Sequence, residues 1–356
     1  MGTWSLIPGL LIAGMLLPAL AAADAKNHIM YVAAESVSDP GLLEQIASFV
    51  GAEERSFTLA FGEPEPGLQA DAYLQPLNGA APNDLSLCAS IRQADVLILR
   101  GGSFMEWYDR ISPPGPRTFL AAELADFYRA RKGIVAYGGA CMFLSGGALV
   151  DRRLKKNPER NPQDTHPWIP RIAVGIAPPC LFDSSQWEAG SPLRLLQAMV
   201  ETQVDRGVFF EGQVALDHDR VQQHEVVRGP GSVLLFDLRR ARTGPTGIRE
   251  GRLSRLTAGD HWVDGEKLPR AGTDKRLTAK PTKEEASAGH PWGKETGPSA
   301  SQLIDWLPAA HSKPATRKAT ASHWTLAWDE SSRRDSGSDE PRTWIHLPFD
   351  CAWPKR

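Results

Sequence analysis

Cys141 is the side chain in this sequence best placed to do chemistry. It closes the run Gly138-Gly139-Ala140-Cys141, which follows the apolar stretch Gly133-Ile134-Val135-Ala136-Tyr137 and leads into Met142-Phe143-Leu144. An apolar strand, a glycine turn and an apolar helical segment in that order form the layout of a nucleophile elbow. Such an elbow lifts one reactive side chain above an α/β sheet, and a thiol there would attack an acyl carbon. A second glycine turn, Gly101-Gly102-Ser103, ends the apolar run Ala94-Asp95-Val96-Leu97-Ile98-Leu99. Backbone N–H groups in such a turn can point at a developing oxyanion, and a tight turn after a strand explains the glycines equally well. Asp217-His218-Asp219 with His224 brings together metal-ligand residue types, but a solvated hairpin turn is the simpler reading. The cysteines show no C-x-x-C spacing and no glycine-rich phosphate fingerprint follows the first strand, so neither a metal nor a cofactor is expected.

The elements that must position these residues follow a β-α-β-α order. Residues 28–34 read as a first strand. Residues 40–50 read as a helix, with Leu42, Leu43, Ile46 and Val50 on one face and Gly51 as its stop. Strands are expected over 56–61, 94–99 and 133–137, and an amphipathic helix over 116–132 with Leu120, Leu124 and Phe127 aligned. Residues 151–170 are charged and rich in Pro and Asn, and read as a surface loop over the site. A strand within 172–183 and a helix over 192–203 come next, then short strands at 207–210, 213–216 and 232–236 read as a meander. Residues 247–256 read as a last ordered element. The pattern implies an α/β fold of three layers with a mainly parallel sheet covered on both faces. From residue 266 on, stretches rich in Pro, Gly, Ser, Thr, Lys and Glu alternate with scattered tryptophans. Residues 266–356 therefore read as a loop-rich extension, partly disordered.

The chain has 356 residues, of which 42% are hydrophobic and 23% charged, enough for a sizeable core. A formal net charge of -2 gives no electrostatic argument for nucleic acid or an acidic membrane surface. Residues 6–22 are almost wholly apolar and precede small residues suited to cleavage, so residues 1–23 read as an export signal that lacks the usual preceding positive charge. The apolar run is a little short of the ~20 residues a spanning helix needs, and no stable membrane insertion is expected beyond it. A secreted or periplasmic location follows. Export would permit disulfides among Cys88, Cys141, Cys180 and Cys351.

In four segments the chain resembles cyanophycinase and its relatives in the peptidase E group, serine peptidases of the class I glutamine amidotransferase-like fold. These are 94–103, ending Arg100-Gly101-Gly102-Ser103; the elbow Gly138-Gly139-Ala140-Cys141, in the place of Gly-Gly-Thr-Ser-Ala-Gly-Ala; Phe182-Asp183-Ser184-Ser185 through Leu193-Arg194-Leu195-Leu196; and Gly207-Val208-Phe209-Phe210-Glu211 with Ala215-Leu216 and Gly231-Ser232-Val233. The run Arg252-Leu253-Ser254-Arg255-Leu256 resembles the end of the family domain, so the resemblance spans residues 27–265. It implies cleavage of an Asp-containing peptide or small amide through an acyl-enzyme. Cys141 would be the attacking group, and the backbone at Gly102 and Ser103 would hold the oxyanion. A homodimer is an admissible assembly.

The departures from the family pattern weigh against that activity. The nucleophile position reads Cys141 only in the register that aligns Gly138-Gly139 with the family's glycines; a shift by one puts Ala140 there. Met142 and Phe143 replace small residues, and Phe143 would need a relaxed turn. The family's base histidine falls at Ser185, which cannot activate a nucleophile. His166 is the nearest substitute base in the sequence, and Glu159 and Glu211 fall near family acidic positions without a histidine to orient. Cys141 therefore has three readings: a nucleophile, a partner of Cys180 in a disulfide, or a buried inert thiol. The corresponding functions are a secreted peptidase or amidohydrolase, or a degenerate relative that binds a peptide or glycan.

Overall fold

The computed structural model describes residues 25–33, 37–51, 54–61, 70–74, 82–111, 117–144, 148–151, 168–171, 180–184, 192–244, 247–263, 277–278, 318–321, 324–327, 333–335 and 344–352. The segment 1–23 expected to be an export signal, Glu159, His166 and Ser185 lie outside the described residues.

The first half of the chain alternates strands and helices: β1 (His28–Val32), α1 (Pro40–Val50), β2 (Ser56–Phe61), β3 (Ala72–Leu74), α2 (Leu85–Gln93), β4 (Val96–Arg100), α3 (Phe104–Ile111), α4 (Phe119–Arg129), β5 (Gly133–Tyr137) and α5 (Gly139–Leu144). The helix starts follow from capping. Asp39 accepts from Leu42 N at 2.7 Å ahead of Pro40, Asp84 accepts from Ser86 N and Leu87 N, and Thr118 accepts from Ala121 N. After α5 come β6 (Ala148–Asp151), β7 (Trp168–Arg171), β8 (Leu181–Ser184), α6 (Pro192–Thr202), β9 (Arg206–Glu211), β10 (Ala215–Asp219), β11 (His224–Arg228), β12 (Ser232–Asp237), β13 (Arg242–Gly244), β14 (Gly247–Thr257) and β15 (His261–Val263). The last strands are β16 (Leu277–Thr278), β17 (Lys318–Ala321), β18 (Trp324–Ala327), β19 (Arg333–Asp335) and β20 (Trp344–Ala352).

The fold is α/β, but its sheets are mixed rather than mainly parallel. An eight-stranded sheet has the order β15-β11-β10-β1-β5-β4-β2-β3; it is parallel from β1 to β3 and antiparallel from β1 to β15. A second sheet runs β16-β19-β20-β14-β12-β9-β8 and is antiparallel except at β8–β9. Connection length explains part of the difference. Parallel neighbours need a crossover of a dozen or more residues, and the turn that joins β10 to β11 is far too short for one. The expected meander is also resolved differently, because β9 joins the second sheet and β10 the first. The helix expected over 116–132 starts only at Phe119, where Thr118 caps it. The expected loop over 151–170 is described only at its ends, where Asp151 and Trp168 pair in the β6–β7 ladder. Within the C-terminal region, β20 pairs with β14 between Gly247 and Arg255, so this part of the chain adds a strand to the second sheet.

Strands of the parallel half are buried on both faces. Met30, Val32 and Val135 face Leu42, Ile46 and Phe49 of α1. Ile29, Tyr31, Ile134 and Ala136 face a larger core built with the other helices and the second sheet, where the Tyr31 and Phe182 rings lie 4.8 Å apart. Each of the Val, Leu, Ile, Met and Phe side chains among them contributes roughly 1.5–3 kcal/mol on burial. The carboxyl ends of β1, β4 and β5, where ligands of open α/β sheets bind, are thereby held on a rigid base.

Candidate functional site

The strand-to-helix turn is present, but the residue at its bend is glycine. Gly138 follows β5 with φ +49°, donates to Val32 O at 3.0 Å, and accepts from Cys141 N at 3.0 Å as α5 begins. An elbow presents its nucleophile from that strained bend, and Gly138 has no side chain to present. Cys141 is three residues further on, inside α5 and fully buried. Its thiol turns back under the helix, where its one S–H is shared between Ala136 O at 2.9 Å and Val32 O at 3.2 Å. Cys88, Cys141 and Cys180 are all buried as thiols, so the disulfide alternative for Cys141 and Cys180 is not the arrangement in the structure. Phe143 needs no relaxed turn: it is buried and its ring stacks on Trp107 at 5.9 Å.

The Gly101-Gly102-Ser103 turn lies beside the elbow. Gly101 and Gly102 have φ of +72° and +70°, a conformation that L side chains adopt at a cost. A Cβ on Gly101 would lie 2.5 Å from Phe61 O. A Cβ on Gly139 would lie 2.4 Å from Gly102 O, so elbow and turn pack backbone against backbone. Ser103 caps α3. Its N–H donates to Glu106 Oε2 at 2.6 Å, and Glu106 N donates to Ser103 Oγ at 3.3 Å. This reciprocal pair is a capping box. The N–H expected to face an oxyanion therefore already has a carboxylate partner. Trp107 Nε1 donates to Gly101 O at 2.6 Å and fixes the turn from below.

Of the other sequence candidates, Ser185, His166 and Glu159 lie outside the described residues. β8 ends at Ser184, one residue before Ser185, with Asp183 and Ser184 fully buried. Glu211 accepts from Ser232 Oγ at 2.9 Å, and Arg255 Nε also reaches Ser232 Oγ at 3.3 Å, so Glu211 belongs to a polar chain across the second sheet.

Asp217, His218 and Asp219 are not a solvated turn. They lie in β10, with Asp217 and His218 buried. Asp217 accepts from His28 Nδ1 at 2.9 Å and from Arg228 Nη2 at 2.6 Å. Burial alone would raise the Asp217 carboxyl, but the His28 hydrogen bond and the Arg228 guanidinium outweigh it and hold it low. His28 is raised, chiefly by the same hydrogen bond. On the opposite face of the strand, His218 Nδ1 lies 3.3 Å from Glu225 Oε1, Glu225 pairs with Arg206, and the Arg206 guanidinium lies 3.7 Å over the Trp262 ring. This clasp ties the two sheets together, and sequence reading missed it. The capping box was also missed, although the Ser103-x-x-Glu106 spacing signals it. Among the described residues, no group of three His, Cys, Asp or Glu side chains could hold a metal ion, and no helix is long and apolar enough to cross a membrane.

No protein-family model matches this chain, and no curated protein does. Among solved structures, the chain is similar to the crystal structure of a peptidase from an acI-B1 Actinobacterium. The identity is 14% and the TM-score 0.44, covering 67% of this chain and 97% of that one.

Proposed function

We propose that this chain is a catalytically degenerate relative of the cyanophycinase-like hydrolases, an exported protein that binds a peptide-like ligand at the carboxyl ends of β1, β4 and β5 without cleaving it. The observation that carries this reading is Gly138 at the bend, with the Cys141 thiol buried beneath it against two backbone carbonyls. Nucleophilic catalysis needs an exposed, activated group, and among the described residues of the elbow helix every side chain is buried. The capping box adds to the case, because Glu106 takes the Ser103 N–H that an oxyanion would need.

Ligands of open α/β sheets bind at the carboxyl ends of the strands, and that general rule is why binding rather than loss of all function is proposed. The test is equilibrium binding of fluorescently labelled Asp-containing peptides to the full mature chain, with recovery of the ligand afterwards. Saturable binding with the peptide recovered intact is the expected result. Recovery of cleaved peptide would overturn the non-catalytic reading, and absence of binding across the panel would overturn the choice of ligand.

A further inference from the structure

The far end of the eight-stranded sheet carries an unusual row of ionisable side chains. His28, Asp219 and His224 face one another in register across β1, β10 and β11, and His261 on β15 sits diagonally next to His224. The His224 and His261 rings are 5.0 Å apart at 80°. β15 is a three-residue edge strand held to β11 by the pairs His224–Val263, Glu225–Trp262 and Val226–His261.

We propose that β15 is an acid-releasable edge: protonation of the facing His224 and His261 unpairs it from β11, while β1 and β10 remain paired. Two unit charges about 5 Å apart repel enough, even at the dielectric of bulk water, to change an equilibrium about four-fold. Nearby carboxylates are already engaged. Asp217 is held by His28 and Arg228, and Asp219 Oδ1 accepts from Val221 N and Gln222 N while its Oδ2 faces His28 Nε2 at 3.8 Å. Glu225 is paired with Arg206. From α1 this face receives Leu42, Ile46 and Phe49, and the Phe49 ring lies 6.3 Å from His28.

The direction of the linkage differs along the row. Burial, then His261, lowers His224, so its contribution is complete above the ordinary value of 6.5 and is lost as pH falls through the folded value. His28 is raised, so its contribution grows on acidification. Acid thus loosens the outer edge and tightens the inner pair. Release of β15 also withdraws Trp262 from beneath Arg206.

The test is amide hydrogen exchange on the full chain at pH 7.5 and 5.5, corrected for intrinsic exchange. The expected result is at least about a four-fold loss of protection at Glu225 and Trp262, whose N–H groups face one another across β11 and β15, with none at 29–32, abolished in His261→Phe. Unchanged protection at β15, loss shared equally by β1, or loss that persists in His261→Phe would overturn the proposal. His224→Gln serves as a second variant, and the comparison of β15 with β1 in the unmodified chain decides the matter if either variant fails to fold.

Discussion

The Cys141 thiol donates to the carbonyl oxygen of Ala136 at 2.9 Å, so it points into the sheet that precedes it rather than out of the turn above it. That relationship makes Cys141 a packing residue. Cys141→Ala should lower the unfolding free energy by about 1–2 kcal/mol, from a lost hydrogen bond and a small cavity. Denaturant titration measures this. Peptide mapping after alkylation should show Cys141 modified only once the chain is unfolded.

The capping box predicts a local stability effect at α3. Ser103→Ala and Glu106→Ala should each cost about 1 kcal/mol. Each substitution removes a different hydrogen bond of the box, so the double variant should cost about the sum of the two plus any coupling between them. Thermal melts of the four proteins check this.

Gly101→Ala should be the more damaging substitution in the same turn. It places a Cβ 2.5 Å from Phe61 O at a φ of +72°. A left-handed side chain alone costs about 1–2 kcal/mol, and the clash adds to it, so a loss above about 2 kcal/mol is expected in denaturant titration.

The His28–Asp217 pair sets a pH window. His28 is raised, so its contribution is complete below its ordinary value of 6.5 and disappears as pH rises through its folded value. Asp217 is held low, so its contribution is complete above its ordinary value of 3.8 and is lost as pH falls through its folded value. The stability difference between the unmodified chain and His28→Gln should therefore be greatest between about pH 4 and 6.5 and shrink by pH 8. A difference that grows with pH would contradict the assignment.

Arg206 should be costly to remove. Arg206→Ala leaves Glu225 buried beside His218 and empties the space over Trp262. Breaking one side of a buried ion pair typically costs about 3–5 kcal/mol, and the loss should be visible as a lower urea midpoint.

Local patterns made much of the parallel half legible in the sequence. The apolar run at β5 and the capped α1 appear where expected and carry their own start and stop signals, although on α1 Leu43 is exposed and Phe49 joins Leu42 and Ile46 in the core. The partition of later strands between two sheets was not legible. β9 and β10 look alike as short apolar runs, and only the tertiary path sends them to different sheets. At the site, the glycines announced the turn but not its register. Gly138 and Cys141 are three residues apart, and only the backbone φ shows that the bend falls on the former. The Arg206–Glu225–Trp262 clasp joins residues far apart in sequence, so no spacing rule exposes it.

The most direct measurement is hydrolysis of cyanophycin and a panel of Asp-containing peptides by the unmodified protein and by Cys141→Ala, side by side. With Gly138 at the bend and Cys141 buried, neither protein should release product above the buffer rate. Turnover by the unmodified chain that disappears in Cys141→Ala would contradict the account, because it would show that the buried thiol becomes the nucleophile.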